Sequence, residues 1–136
     1  CMGQYDHLHL TVVQKPEILA QINAAFQKAV NDPNMQVTYG APTVIYVSCK
    51  NEDEEIIKGC NAGVVMENML LEAADLGLGA VYLFGVSQVL FANEEITKLL
   101  QVPEGFRTVS AIAVGTSADV LQERILGTDK ISMTTL

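Results

Sequence analysis

At 136 residues the chain has room for one domain with a single core and not for two of ordinary size. Sixteen acidic residues against eight basic ones leave a net charge of −8, which repels phosphate backbones and argues against nucleic-acid binding. A hydrophobic fraction of 49% with mean hydropathy +0.26 is more apolar material than so small a chain can readily enclose, so part of it is expected to lie against a second subunit, most simply in a homodimer.

Residues 8–13, Leu-His-Leu-Thr-Val-Val, are rich in β-formers and predict a strand that ends before Lys15-Pro16, where Pro16 suits a first helical position. Ile18, Leu19, Ile22, Ala25, Phe26 and Val30 recur at three- and four-residue steps, the pattern of a helix with one apolar face that stops near Asn31-Asp32-Pro33. Residues 31–42, with their Asn, Asp, Pro and Gly, read as a loop, and residues 43–48 as a second, buried strand. The acidic run 51–55 favours a helix N-terminus, and the helical pattern continues to Leu76. Apolar side chains cover most of the circumference of this helix, so it is expected to be central and enclosed, with Glu67 the one charge placed to be buried in it, as a paired structural group or a functional one. Gly77 closes the helix, and residues 80–84 predict a third strand ending at Gly85. The apolar run 76–86 is too short to span a bilayer and is interrupted by glycines, so no membrane partner is expected. Residues 87–100 read as helical with a fresh capped start at Asn93-Glu94-Glu95-Ile96. After the turn Pro103-Glu104-Gly105 come a fourth strand at 106–114 and a polar tail, 116–136, with a last short strand expected at 131–135. Strands interleaved with helices in this way suggest one α+β or three-layer α/β domain over residues 1–136.

Few residues suggest chemistry on their own. His7 and His9, two apart on the expected strand, would share a face as metal ligands do, yet no third ligand accompanies them, so no metal is assigned. Gly77, Gly79 and Gly85 do not form a G-x-G-x-x-G, which removes a dinucleotide-binding Rossmann fold. No nucleophile stands in a pattern that names its base, so no catalytic side chain is assigned. Cys1, Cys49 and Cys60 match neither a zinc spacing nor a C-x-x-C pair and suit reduced thiols in a cytoplasmic protein.

A resemblance carries the reading further. Tyr39-Gly40-Ala41-Pro42-Thr43-Val44-Ile45-Tyr46-Val47 resembles the "GAP" entry to a central strand in the FMN-dependent nitroreductase family. Asn61-Ala62-Gly63, then Glu67-Asn68-Met69-Leu70-Leu71-Glu72-Ala73-Ala74-Asp75-Leu76-Gly77-Leu78-Gly79-Ala80, is similar to that family's "DAG…QNMLLAA…LGLGS" helix and strand. Leu99-Leu100-Gln101-Val102-Pro103-Glu104-Gly105, followed by Ala113-Val114-Gly115, resembles its "LGIPEG…GY" ending. Together the motifs run in the family's order from about residue 4 to residue 124.

The resemblance implies a mixed central sheet flanked by helices, with the helix at 54–76 apolar all round because its second side meets a twin subunit. It further implies one FMN in each of two clefts between subunits, and a flavoprotein oxidoreductase passing hydride from NAD(P)H through FMN to a small nitroaromatic or quinone-like acceptor. In such chemistry the protein binds and orients the flavin, which carries the electrons. By the same resemblance Tyr82, Leu83, Phe84 and Gly85 lie beside the flavin ring, with a backbone N–H near Gly85 facing the flavin N5. Gln4 matches a glutamine that hydrogen-bonds the ring's polar edge, and Arg124 a late arginine that grips the phosphate. Departures from the pattern are equally specific. The family's opening Arg-Arg-Ser-x-Arg segment, which holds the phosphate and ribityl chain, would lie before Cys1; Asn61 replaces the usual acid and Glu67 the usual glutamine. With only Arg124, Lys58 and Lys130 to offset an FMN dianion, the alternative is a non-catalytic dimeric scaffold or a weak flavin binder that has lost turnover.

Overall fold

The computed structural model describes residues 4–85, 93–119, 127 and 130–136. Four strands, β1 (Leu8–Val13), β2 (Thr43–Lys50), β3 (Gly79–Tyr82) and β4 (Phe106–Gly115), form one sheet in the order β1-β2-β4-β3. Every pairing among them is antiparallel. The two central strands, β2 and β4, carry runs of buried residues on successive positions, as strands covered on both faces do.

Alternation along the strands divides the core in two. On one face Val13, Val44, Tyr46, Ala111 and Ala113 meet Ile22 and Phe26 of α1 (Pro16–Val30), together with Ile96 of α3 (Glu94–Leu99) and Leu100. On the other, Val47 and Ile112 meet Ala62 and Met66 of α2 (Glu55–Asp75), with Ile45, Val65, Met69 and Leu70 packed around them. Helices therefore cover both faces of the sheet, as expected of an α+β domain; the four described strands pair antiparallel throughout, where the resemblance implied a mixed sheet.

Local chemistry sets the ends of these elements. Pro16 opens α1, and Asn31 closes it in the left-handed region at φ 54°. Asn93 caps α3, its side chain accepting from the N–H groups of Glu95 and Ile96 at 3.0 and 3.3 Å. Gly77, at φ +69°, takes the chain out of α2. Gly79 and Gly115 face each other across β3 and β4 for a different reason, which is space. A Cβ on Gly115 would sit 2.7 Å from Cδ of Pro42, and one on Gly79 would sit 3.1 Å from Cβ of Ser117. Gly115→Ala is expected to cost roughly 1–3 kcal/mol through this overpacking, measured by urea denaturation; a variant as stable as the parent would show that Pro42 can move aside.

Several expectations are corrected. The third strand ends at Tyr82, not at 84: Leu83 N–H still donates to Ala111 O at 2.8 Å, but Phe84 and Gly85 already turn into helix. His7 lies in a 3-10 turn (Tyr5–His7) ahead of β1, so it does not share a strand face with His9. Residues 131–135 form no strand, since none of the described strands pairs with them. Among the described residues α2 is covered on one side only, with Ile56, Val64 and Leu71 on the outer side at 69, 57 and 60% exposure. Glu67 is on that outer side too, and the buried charge of the helix is Lys58. Residues 87–92 of the helix expected at 87–100 lie outside the described residues.

Candidate functional site

The end of β3 forms one wall of a cavity of about 180 Å³. Phe26 of α1 and the loop residues Met35, Gln36, Val37 and Tyr39 line it against Tyr82, Leu83, Phe84 and Gly85. Among the described residues Gln36 is the one polar side chain in that lining outside the tyrosine hydroxyls, and no charged side chain lines it. Tyr82 and Phe84 meet edge to face, with ring centroids 6.0 Å apart, and are 38 and 58% exposed. A Cβ built on Gly85 meets nothing within 4 Å, so open space lies over that backbone.

The loop opposite is held by α1. Asn23 Oδ1 accepts from Val37 N–H at 2.9 Å, and Gln27 Nε2 donates to Met35 O at 2.9 Å. Val37 and Thr38 are buried as a result, and Tyr39 follows in the left-handed region at φ 54° with Gly40 at φ 72°. Beyond Tyr39 a second cavity, about 470 Å³, runs past Gly40, Pro42, Gly79 and Gly115 to Thr116, Ser117 and Asp119.

The sequence-predicted site residues are not all brought together. Tyr82, Leu83, Phe84 and Gly85 converge on the smaller cavity. Gln4 is exposed ahead of β1, where its carbonyl accepts from His7 N–H at 3.1 Å. Since β1 and β3 are the two edges of the sheet, roughly 14 Å of sheet width separates the two groups within one chain. Arg124 lies outside the described residues. Lys58 is committed elsewhere: its Nζ donates to Asn51 O at 2.9 Å and to Glu55 Oε1 at 3.1 Å. Lys130 is exposed in the tail.

A polar cluster at the far end of β2 escaped the sequence reading. His7 Nδ1 and Asp53 Oδ1 share a hydrogen bond of 2.7 Å, Lys50 Nζ donates to Asp6 at 2.9 Å, and Arg107 donates to Glu55 beside Lys58. The bond from Lys50 lowers the Asp6 pKa and raises that of Lys50, and the bonds from Lys58 and then Arg107 lower that of Glu55. These pairs tie the first turn and the start of α2 to the sheet, and they occupy three of the chain's cations away from the aromatic cavity. Burial, with Asp53 adding to it, raises the Cys49 pKa, which keeps that thiol neutral and unreactive. Among the described residues no group of three or more His, Cys, Asp or Glu is placed to hold a metal ion, and no helix is long and apolar enough to cross a membrane.

A three-layer α+β fold with an aromatic-walled cavity at the edge strand of an antiparallel sheet is the class these features define. The chain belongs to the nitroreductase family, whose sequence profile matches residues 5–116. Among solved structures, a nitroreductase with bound FMN from Bacteroides fragilis superposes with a TM-score of 0.79 at 21% identity, covering 97% of this chain and 78% of that one. A nitroreductase with bound FMN from Desulfitobacterium hafniense gives 0.75 at 18% identity, over 96 and 77% of the two chains. An FMN-dependent nitroreductase from Clostridium difficile gives 0.73 at 21% identity, over 96 and 80%. At these identities the shared property is the fold.

Proposed function

We propose that the protein is an FMN-dependent oxidoreductase that takes hydride from NAD(P)H and delivers it to a small nitroaromatic or quinone-like acceptor, working as a cytoplasmic homodimer. The observation that carries this reading is the uncharged, aromatic-walled cavity at residues 82–85 with open space over the Gly85 backbone, since a planar ring needs an apolar wall and a close backbone approach. Two of the solved relatives contain FMN, which adds support.

The ring half of FMN fits these residues: Tyr82, Leu83 and Phe84 supply the wall that excludes water, and an N–H near Gly85 would hold the ring's polar centre. For the phosphate, no described cation lines either cavity, and Arg124 is the residue assigned to grip it. Gln4, a sheet's width away in its own chain, would serve a ring held by the twin subunit, so the split site itself favours a dimer. The outer side of α2 provides the contact surface, with Ile56, Val64 and Leu71 exposed and nothing within 4 Å of a Cβ on Gly59 or Gly63. When bound, the flavin supplies the two-electron chemistry between NAD(P)H and the acceptor. Free Cys49 and Cys60 suit a reducing compartment.

Titrating the protein with FMN, followed by flavin fluorescence and by melting temperature, tests this reading. The expected result is saturable quenching with a raised Tm. Gly85→Val is expected to leave the melting temperature of the flavin-free protein within a few degrees and to weaken FMN binding by about tenfold or more, because the new side chain fills the space over the backbone. A colourless protein whose Tm and absorbance ignore FMN would favour the second reading, a dimeric scaffold without working flavin. What supports that alternative is the engagement of Lys50, Lys58 and Arg107 with the chain's own carboxylates.

A further inference from the structure

We infer that His7 is a positioning residue: its bond to the buried carboxylate of Asp53 clasps the turn that carries Gln4 to the head of α2, and so sets where Gln4 stands toward a ring held by the twin subunit. This rests on the reading of the protein as a dimeric flavoprotein. The turn Tyr5–His7 has no buried residue, and Tyr5 is 78% exposed, so apolar packing does not hold it. Polar bonds do. Within the turn His7 N–H donates to Gln4 O at 3.1 Å, and Leu8 N–H donates to Tyr5 O. Two side-chain bonds then tie the turn to the segment 50–53: Lys50 Nζ donates to Asp6 at 2.9 Å, and His7 Nδ1 donates to Asp53 Oδ1 at 2.7 Å.

The two ties are unequal. Asp6 is largely in water, where an ion pair holds a chain segment only weakly. The His7 and Asp53 side chains are 17 and 9% exposed, so their bond forms where little water competes for it. Asp53 is itself fixed from behind: its N–H donates to Lys50 O at 3.3 Å, Asn51 N–H donates to Gly105 O at 2.7 Å, and Lys58 Nζ of α2 donates to Asn51 O at 2.9 Å. The carboxylate therefore belongs to a braced turn at the head of α2, the helix whose outer side offers the dimer contact. Gln4 is thereby placed by the element that would meet the twin. Asp53 Oδ2 is buried with no hydrogen-bond partner among the described residues, which makes the pair a costly way to gain stability. What it supplies is a fixed position for a turn that nothing apolar holds.

Two measurements on the full chain test this: FMN affinity by flavin fluorescence, and amide hydrogen exchange at Leu8 in the flavin-free protein. His7→Ala is expected to weaken FMN binding about fivefold in the wild-type background and by less than about twofold in Gln4→Ala, since a residue acting through Gln4 then has nothing to act on. Exchange at the Leu8 N–H is expected to quicken about tenfold in His7→Ala. His7→Asn, whose amide can donate from the place of Nδ1, should restore both values. His7→Phe combined with Asp53→Leu removes the bond without leaving a bare carboxylate, so it should keep the melting temperature and show the same loss of FMN affinity; it carries the test if His7→Ala does not fold. Equal losses in the two backgrounds, or Leu8 exchange indifferent to His7→Ala, would overturn the inference and leave the flavin reading standing. A wild type that ignores FMN while Leu8 exchange still quickens in His7→Ala overturns the flavin reading, and with it the task given to Gln4, and upholds the clasp itself.

Discussion

Leu71→Asp is expected to turn a dimer of twice the 14.7 kDa chain mass into a single chain in sedimentation experiments, with its helical content unchanged. Leu71 sits two turns beyond Val64 on the outer side of α2, and Ile56 continues the same stripe toward the helix start. Each of these side chains would contribute about 1.5–3 kcal/mol if fully buried between subunits, and the stripe is used twice in a symmetric pair. A carboxylate in that stripe would have to be desolvated without a partner, a cost of several kcal/mol per copy. The fold of one chain has little stake in the exchange, since Leu71 is 60% exposed there and belongs to neither core cluster. FMN affinity should fall together with dimerisation, because Gln4 would no longer reach the ring held by the other subunit. A wild-type protein that sediments as a monomer at tens of micromolar would remove both the dimer and the split site.

The same helix shows what a sequence can and cannot disclose. Its extent was legible, 54–76 expected against Glu55–Asp75 found, because a long apolar-rich run without Pro, opened by acidic residues and closed by Gly77, marks a helix whatever it packs on. Its orientation was not. Apolar residues all round say that two sides want cover, but only the sheet decides which side is covered first, and it takes Ala62, Met66 and Ala73. Glu67 was expected to be inside by its apolar neighbours; it falls on the outer arc with Val64 and Leu71, whereas Lys58 shares the inner arc with Asn61 and Ala62. Lysine tolerates that position because its ammonium reaches the Asn51 carbonyl and Glu55, a solution set by the turn before the helix and invisible in periodicity. The limits of β1 and α1 were legible for local reasons, a β-branched run and Pro16. The strand expected at 131–135 rested on β-formers alone, and β-propensity describes fitness for a sheet surface, which these residues do not find among the described strands. For the site, the resemblance marked residues 82–85, but Tyr39 was read only as part of a strand entry, because the left-handed turn that places it between two cavities appears only once the loop is braced on α1.

Tyr46→Phe is expected to stabilise the protein modestly near neutral pH and strongly in alkali. Tyr46 is fully buried on β2 among Ile22, Phe26 and Leu100, and its hydroxyl has no hydrogen-bond partner among the described residues. Leaving such a hydroxyl unpaired costs about 1–3 kcal/mol, and the ring that fills the space is common to both side chains, so the substitution removes the penalty without opening a cavity. The alkaline effect follows from the same burial, which pushes the Tyr46 pKa well above the ordinary tyrosine value of 10.0. In the unfolded chain the phenol loses its proton as pH passes about 10, while in the folded protein it keeps it. The folded state then binds more protons than the unfolded one, so stability, intact below pH 10, falls as pH rises, by about 1.4 kcal/mol per pH unit from this group alone. Burial raises the Cys49 pKa in the same sense, beginning near the ordinary thiol value of 9.0, so its contribution is common to wild type and variant and cancels in their comparison. Urea denaturation of the two proteins from pH 8 to 11.5 is therefore expected to give curves that run parallel up to about pH 10 and diverge above it, with the phenylalanine variant the more stable. Curves that stay parallel throughout would mean that the hydroxyl has a partner or reaches water.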